Sequence, residues 1–318
     1  MSWIRRLTDR ALDGSVALSF DRTGFARHAK GFDPSDLEVD LTGRSVVVTG
    51  ANSGIGKATA RALAARGARV WMLCRSATRG EAARAELAAD TGGDLRLVVA
   101  DMASLASIDT AVARVEGPLH ALVHNAGTLP DERLLTEDGL ELTVAVHCAG
   151  PLRLTWGLRD QLGPGARVIW VSSGGMYTQR LEVDVLERHE GAYDGVVAYA
   201  RTKRAQVVLA ELLAARRPDW IVSSMHPGWA DTPGVERALP GFHAVSRAIL
   251  RSPEEGADTV IWLAAAERAT SSGRFWFDRA PRGTHLIPGR RAAEGEHERL
   301  WERACRWARL PSDAFWTR

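Results

Sequence analysis

At 318 residues and a formal net charge of +2, the chain is long enough to bury a full core and too nearly neutral to imply a nucleic-acid partner. Cys74, Cys148 and Cys305 are scattered without metal-ligand spacing, so no metal site is expected, and a reducing, cytoplasmic setting suits them better than a disulfide framework. No apolar run reaches membrane-span length, and Met1 to Gly14 lacks the apolar stretch of a signal peptide, so a soluble protein is expected.

Residues 1–40 precede the first strand. Trp3, Ile4, Leu7, Ala11 and Leu12 recur at helical spacing with Arg5, Arg6 and Arg10 between them. This predicts an amphipathic basic helix, either packed on the body or in peripheral contact with a membrane surface. From 41 to 280, apolar runs alternate with helical stretches, the pattern of an α/β protein with a doubly wound parallel sheet in three αβα layers. Strands are expected at Ser45 to Val48, Arg69 to Cys74, Leu95 to Ala100, Leu119 to His124, Arg167 to Ser172, Trp220 to Met225 and Arg274 to Phe277. Helices are expected over about 78–89, 136–162, 199–216 and 253–267, with Gly163-Pro164-Gly165 stopping the second. Residues 281–318 form a tail whose amphipathic helix, from about Ala292, carries Leu300, Trp301, Ala304, Cys305 and Ala308 on one face.

The most informative stretch joins the first strand to the first helix of the sheet: Thr49-Gly50-Ala51-Asn52-Ser53-Gly54-Ile55-Gly56. Gly50 permits a tight turn, Gly54 lets backbone approach a pyrophosphate, and Gly56 lets the helix pack closely on the strand. The helix N-terminus then offers free N–H groups and partial positive charge to phosphate. This spacing resembles the cofactor turn of the short-chain dehydrogenase/reductase family, and the long gap between Ser173 and Tyr199 resembles an insertion in its retinol-dehydrogenase-like branch. The resemblance implies a Rossmann-type fold with amino- and carboxyl-terminal extensions. It also implies cofactor contacts from Gly50, Asn52, Ser53, Gly54, Ile55 and Gly56. Asp101 and Met102 would lie near the adenine. Asn125-Ala126-Gly127, preceded by His124 where the family has asparagine, would support the sheet and the adenosine ribose. Pro227, Gly228 and Thr232 would border the nicotinamide carboxamide.

The second strand ends in Cys74-Arg75. A carboxylate there would bind the ribose hydroxyls of NAD, whereas a guanidinium at Arg75 suits a 2′-phosphate, so NADP(H) is expected in preference to NAD(H). Tyr199 and Lys203, four residues apart, share one helix face. A lysine charge one turn away favours phenolate and moves the tyrosine toward acid–base use at neutral pH. Ser173, at the end of the fifth strand, matches the family's substrate-orienting hydroxyl, and both Tyr199 and Lys203 would also touch the cofactor.

Aligned through Gly150, His147 occupies the position of a family asparagine that shapes a helix bend in a proton relay. It either serves in that relay, weakens it, or is a buried structural histidine. The reading is an NADP(H)-dependent oxidoreductase moving hydride between nicotinamide and a small, apolar carbonyl or alcohol. A dinucleotide-binding sensor or scaffold with little turnover is the alternative. No nucleic acid is expected; a homodimer is an option that the extra termini could block.

Overall fold

The computed structural model describes residues 19–316 apart from 189 and 239. Val46, Val47 and Val48 are fully enclosed in β1 (Ser45–Thr49), because a central parallel strand is covered on both faces. Beyond one edge of β1 lie β2 (Arg69–Cys74) and β3 (Leu95–Val99). Beyond the other lie β4 (Leu119–His124), β5 (Leu162–Val171), β6 (Ile221–Met225) and β7 (Arg274–Phe277). The two-residue β8 (Ala280–Pro281) pairs antiparallel to β7, and all other pairings are parallel. This is the doubly wound α/β sheet expected from the sequence. Its order, β3-β2-β1-β4-β5-β6-β7-β8, reverses between β1 and β4. A crevice opens beyond the strand ends at such a reversal.

Helices cover both faces. In chain order they are α1 (Arg22–His28), α2 (Gly54–Ala64), α3 (Ala77–Thr91), α4 (Leu105–Val112), α5 (Gly150–Gly157), α6 (Val183–Leu186), α7 (Gly195–Arg216), α8 (Pro233–Ala238), α9 (Pro240–Ser246), α10 (Pro253–Ala265) and α11 (Glu296–Trp307). Val46, Val48, Val123 and Ile169 pack beneath Leu63, Leu87, Val260 and Leu263 of α2, α3 and α10. On the opposite face Val47, Leu122, Val168 and Trp170 meet Ile108, Leu154, Leu209 and Leu213 of α4, α5 and α7. The tail closes this second layer. Leu300, Trp301, Ala304 and Cys305 are buried, and Phe315 lies 5.2 Å from Trp156 and 6.2 Å from Trp220, ring to ring. The Arg216 guanidinium sits 4.0 Å from the Trp301 ring and 4.9 Å from that of Trp316.

Several expectations are corrected. The helix expected over 136–162 begins only at Leu142, because residues 125–141 form a loop closed by a bridge between Leu135 and Glu141. Gly163-Pro164-Gly165 does not simply stop a helix: it belongs to a long β5 that bulges against β4, where Leu119 pairs with Leu162 but Ala121 with Arg167. Tyr199 lies in the second turn of α7 rather than opening it, since Asp194 caps the helix by accepting a bond from the Val197 N–H at 3.0 Å. The tail helix begins at Glu296. All three cysteines are buried and free. The helix expected over Trp3 to Leu12 lies outside the described residues.

Candidate active site

The glycine turn is built by steric exclusion. A Cβ on Gly56 would lie 2.4 Å from the Gly50 carbonyl oxygen and 2.3 Å from Asn125 Nδ2, so only glycine lets α2 approach the turn this closely. Gly50 has φ +67° and Gly54 φ +52°, in the left-handed region. Ser53, the residue before α2, makes no side-chain capping bond, which leaves the first N–H groups of the helix available to an anion. Thr49 Oγ1 accepts the N–H groups of Asn125 and Ala126, both at 2.9 Å, and donates to the Val123 carbonyl at 3.3 Å. Asn125 Nδ2 donates to the Thr49 carbonyl at 2.9 Å and the Gly50 carbonyl at 3.4 Å. Its side chain therefore braces the turn, and Thr49 is the hub, a role that the β-propensity of threonine conceals in the sequence.

Other residues expected at the cofactor fall around this turn. Asn52 and Ser53 are accessible on it, whereas the Ile55 side chain packs on Gly256 of α10. Arg75 is exposed beyond β2, with no hydrogen bond or ion pair among the described residues. Asp101 Oδ1 accepts the Ala103 N–H at 2.9 Å, and the Met102 carbonyl presses against Gly150. Gly127 borders His147 and Lys203. Thr232 lies across from Gly54, its Cγ2 3.0 Å from where a Cβ would stand.

The structure brings Tyr199, Lys203, Ser173 and His147 together. Ser173 begins a single helical turn, Gly174–Thr178, at the end of β5, and its hydroxyl is near enough to the Tyr199 phenol to lower its pKa. Lys203 Nζ donates to the Val171 carbonyl at 2.9 Å and lies 5.4 Å from the Tyr199 ring centroid. Burial pulls the Lys203 ammonium down to about 7. Burial also raises the phenol of Tyr199, with the nearby Ser173 hydroxyl acting against it. The expected direction was a phenol lowered by its lysine neighbour; in the fold, desolvation of the enclosed phenol is the larger effect and raises it.

His147 occupies a π-turn, Ala145–Ala149, where the Gly150 N–H reaches the Ala145 carbonyl five residues back. Its Nε2 accepts the Thr128 N–H at 3.1 Å, so that nitrogen carries no hydrogen. Nδ1 then donates to Thr202 Oγ1 at 2.7 Å, and Thr202 donates to the Tyr199 carbonyl at 2.9 Å. Burial, and secondarily the Lys203 charge, hold its pKa well below the ordinary histidine range. The ring is a fixed neutral strut, edge-on to Tyr199 at 5.3 Å. Thr202 completes it, and only its place between Tyr199 and Lys203 hints at this in the sequence.

Comparison with known proteins agrees with this fold. The family description "short chain dehydrogenase" matches residues 44–240. The chain is 44% identical over 291 residues to dehydrogenase/reductase SDR family member 12 of Bos taurus, covering 89% of this chain and 92% of that one. It is 34% identical to human retinol dehydrogenase 12, covering 84% and 87%. A crystal structure of a short chain dehydrogenase from Burkholderia cenocepacia in complex with NADP superposes with a TM-score of 0.60 at 27% identity, covering 76% of this chain and 99% of that one.

Proposed function

The chain belongs to the short-chain dehydrogenase/reductase family of NAD(P)-dependent oxidoreductases acting on small molecules, and from that premise we propose that it moves hydride between NADP(H) and the carbonyl or alcohol carbon of an apolar compound. One observation carries this reading: Tyr199, Lys203 and Ser173 are gathered at the carboxyl end of β5, with Lys203 Nζ 5.4 Å from the Tyr199 ring and bordering Gly127. In the proposed reaction Ser173 steadies the substrate oxygen and Tyr199 exchanges a proton with it, which disperses the charge that develops there. Lys203, in its charged form, is the cation beside the ring and offsets part of the burial that raises the phenol. Neutral His147 acts through Thr202 to fix the backbone at Tyr199. The glycine turn holds phosphate, Arg75 takes the 2′-phosphate, and Pro227, Gly228 and Thr232 border the ring. Bound nicotinamide supplies or accepts the hydride.

An apolar substrate is supported by exposed Leu134 and Leu135 after β4, Val196 at the start of α7, and Val245 and Ile249 after β6. The buried free cysteines suit a reducing, cytoplasmic setting. Docking of the basic amino-terminal segment on lipid stands as a separate proposal, as does pairing of two copies, which would need a helix face that α11 leaves open.

The raised phenol favours a second reading, a dinucleotide sensor that binds NADP(H) with little turnover. Oxidation of NADPH by a panel of aldehydes and ketones decides between them. Consumption that Tyr199→Phe abolishes supports the enzyme; tight NADPH binding with no carbonyl reduced and no alcohol oxidised supports the sensor.

A further inference from the structure

Arg251 lies outside every motif discussed so far, yet it is fully enclosed. Its guanidinium uses all five of its N–H donors. Nη1 and Nη2 meet Asp278 Oδ1 and Oδ2 at 2.6 and 2.8 Å. Nη2 also reaches the Ser19 carbonyl at 2.9 Å, Nε the Asp21 carbonyl at 3.1 Å, and Nη1 the Pro227 carbonyl at 3.3 Å. Asp278 is held in turn by His28 Nδ1 at 2.6 Å and sits at φ +49°, a backbone conformation unusual for aspartate.

The backbone of the same residue grips the next stretch. The Arg251 N–H donates to the Trp229 carbonyl at 2.7 Å, and its carbonyl accepts the Asp231 N–H at 2.8 Å. Phe20 completes the grip: its carbonyl accepts the Trp229 N–H at 2.8 Å. A Cβ on Gly228 would lie 2.4 Å from Arg251 Nε and 2.6 Å from the Phe20 carbonyl oxygen, so the clamp closes tightly on this glycine. The Phe20 ring also fills the space above Gly174, the neighbour of Ser173, coming within 2.5 Å of where a Cβ would stand.

We propose that Arg251 is a positioning residue for the nicotinamide half of the site. Through Asp278 and the Ser19–His28 segment, it fixes the backbone from Pro227 to Asp231 and, by way of Phe20, the turn that carries Ser173. The stretch before β1 is then a working wall of the reaction chamber and not an appendage. This inference rests on the NADP(H) reading above. It makes a prediction of its own, because the clamp braces segments that follow β6 and β7, whereas Arg75, proposed for the adenosine end, follows β2 on the other side of β1.

The test compares two ligands on the full chain by tryptophan quenching: NADPH, and 2′,5′-ADP, which has the adenosine end but no nicotinamide. Arg251→Met should weaken NADPH about tenfold and lower kcat about a hundredfold, the scale of an ångström-sized misplacement, while 2′,5′-ADP binding stays within about twofold. Equal losses for both ligands, or no loss for NADPH, overturn the inference. Should that variant fail to fold, Phe20→Leu decides on the same ratio, because it keeps an apolar plug and withdraws the ring from Gly174. If wild type binds NADPH but reduces nothing, the enzyme reading fails while the affinity ratio still judges the clamp. If wild type turns over and the ratio is unchanged, the clamp alone fails. A wild type that binds no NADPH overturns both.

Discussion

Lys203 offers a prediction in which stability and activity move in opposite directions. Its amine is 3% exposed, and burial holds its pKa near 7 against 10.5 in water. At 1.4 kcal/mol per pH unit, that interval corresponds to about 5 kcal/mol of cost to the fold when the unfolded lysine is charged and the buried one must be charged too. The sign follows from the two values. Above the unfolded pKa both states are neutral and the cost is absent; it grows as pH falls and is complete once pH passes below the folded value near 7. Lys203→Met removes the titrating group and keeps most of the volume, while losing the bond to the Val171 carbonyl, worth about 1 kcal/mol. The variant should therefore be more stable than wild type at pH 6 by about 2–4 kcal/mol, and the gap should shrink by about 1.4 kcal/mol per pH unit between pH 7 and 9. Urea unfolding of both proteins across that range measures it, since ionisable groups not coupled to Lys203 cancel in the difference. NADPH-dependent turnover should be lost throughout. A gap that does not change with pH would refute the argument, because a lysine that stays charged in the fold cannot produce the slope.

Other outcomes follow from the same geometry. Gly56→Ala drives a Cβ into the Gly50 carbonyl and should cost about 2 kcal/mol or more in thermal unfolding, together with NADPH affinity measured by fluorescence. Arg75→Ala should weaken NADPH binding by about 1.5–3 kcal/mol and leave NADH unchanged, so equal effects on the two dissociation constants would remove the 2′-phosphate contact. Because His147 stays neutral across the working range, His147→Asn should lower kcat without moving either limb of the pH–rate profile. A displaced acidic limb would show that this imidazole titrates during the reaction.

Much of the fold was legible because its signals are local. The valines of β1, the glycine spacing and the Tyr199–Lys203 interval each declare themselves within a few residues. The failures are of two kinds. Gly163-Pro164-Gly165 punctuates strongly, but tertiary pairing with β4 absorbed it as a bulge, so local turn chemistry lost to sheet register. Residues 125–141 do carry breakers, Pro130 and the Asp138-Gly139 pair with Gly139 at φ +76°, which the apolar periodicity of 136–162 masked, and their loop is held further by contacts from afar, such as the Tyr193 phenol on Glu141 at 2.9 Å. Within the site, types and spacing pointed to Tyr199, Lys203 and Ser173, but not to the balance of burial against charge that sets their protonation. Arg251 was invisible for a plainer reason. It meets Ser19 and Asp21 across more than 200 residues of chain, and nothing in its immediate neighbourhood marks it.

The way the tail closes the second layer bears on how the molecule is made. Trp156 and Trp220, on α5 and just before β6, are translated long before Phe315, which lies against both. A nascent chain therefore carries an uncapped apolar face on the ribosome until residues near 315 emerge. Holdase chaperones should bind that intermediate, and stalling synthesis at residue 290 should trap it in a protease-sensitive form. A protein released after the tail has docked should resist the same protease.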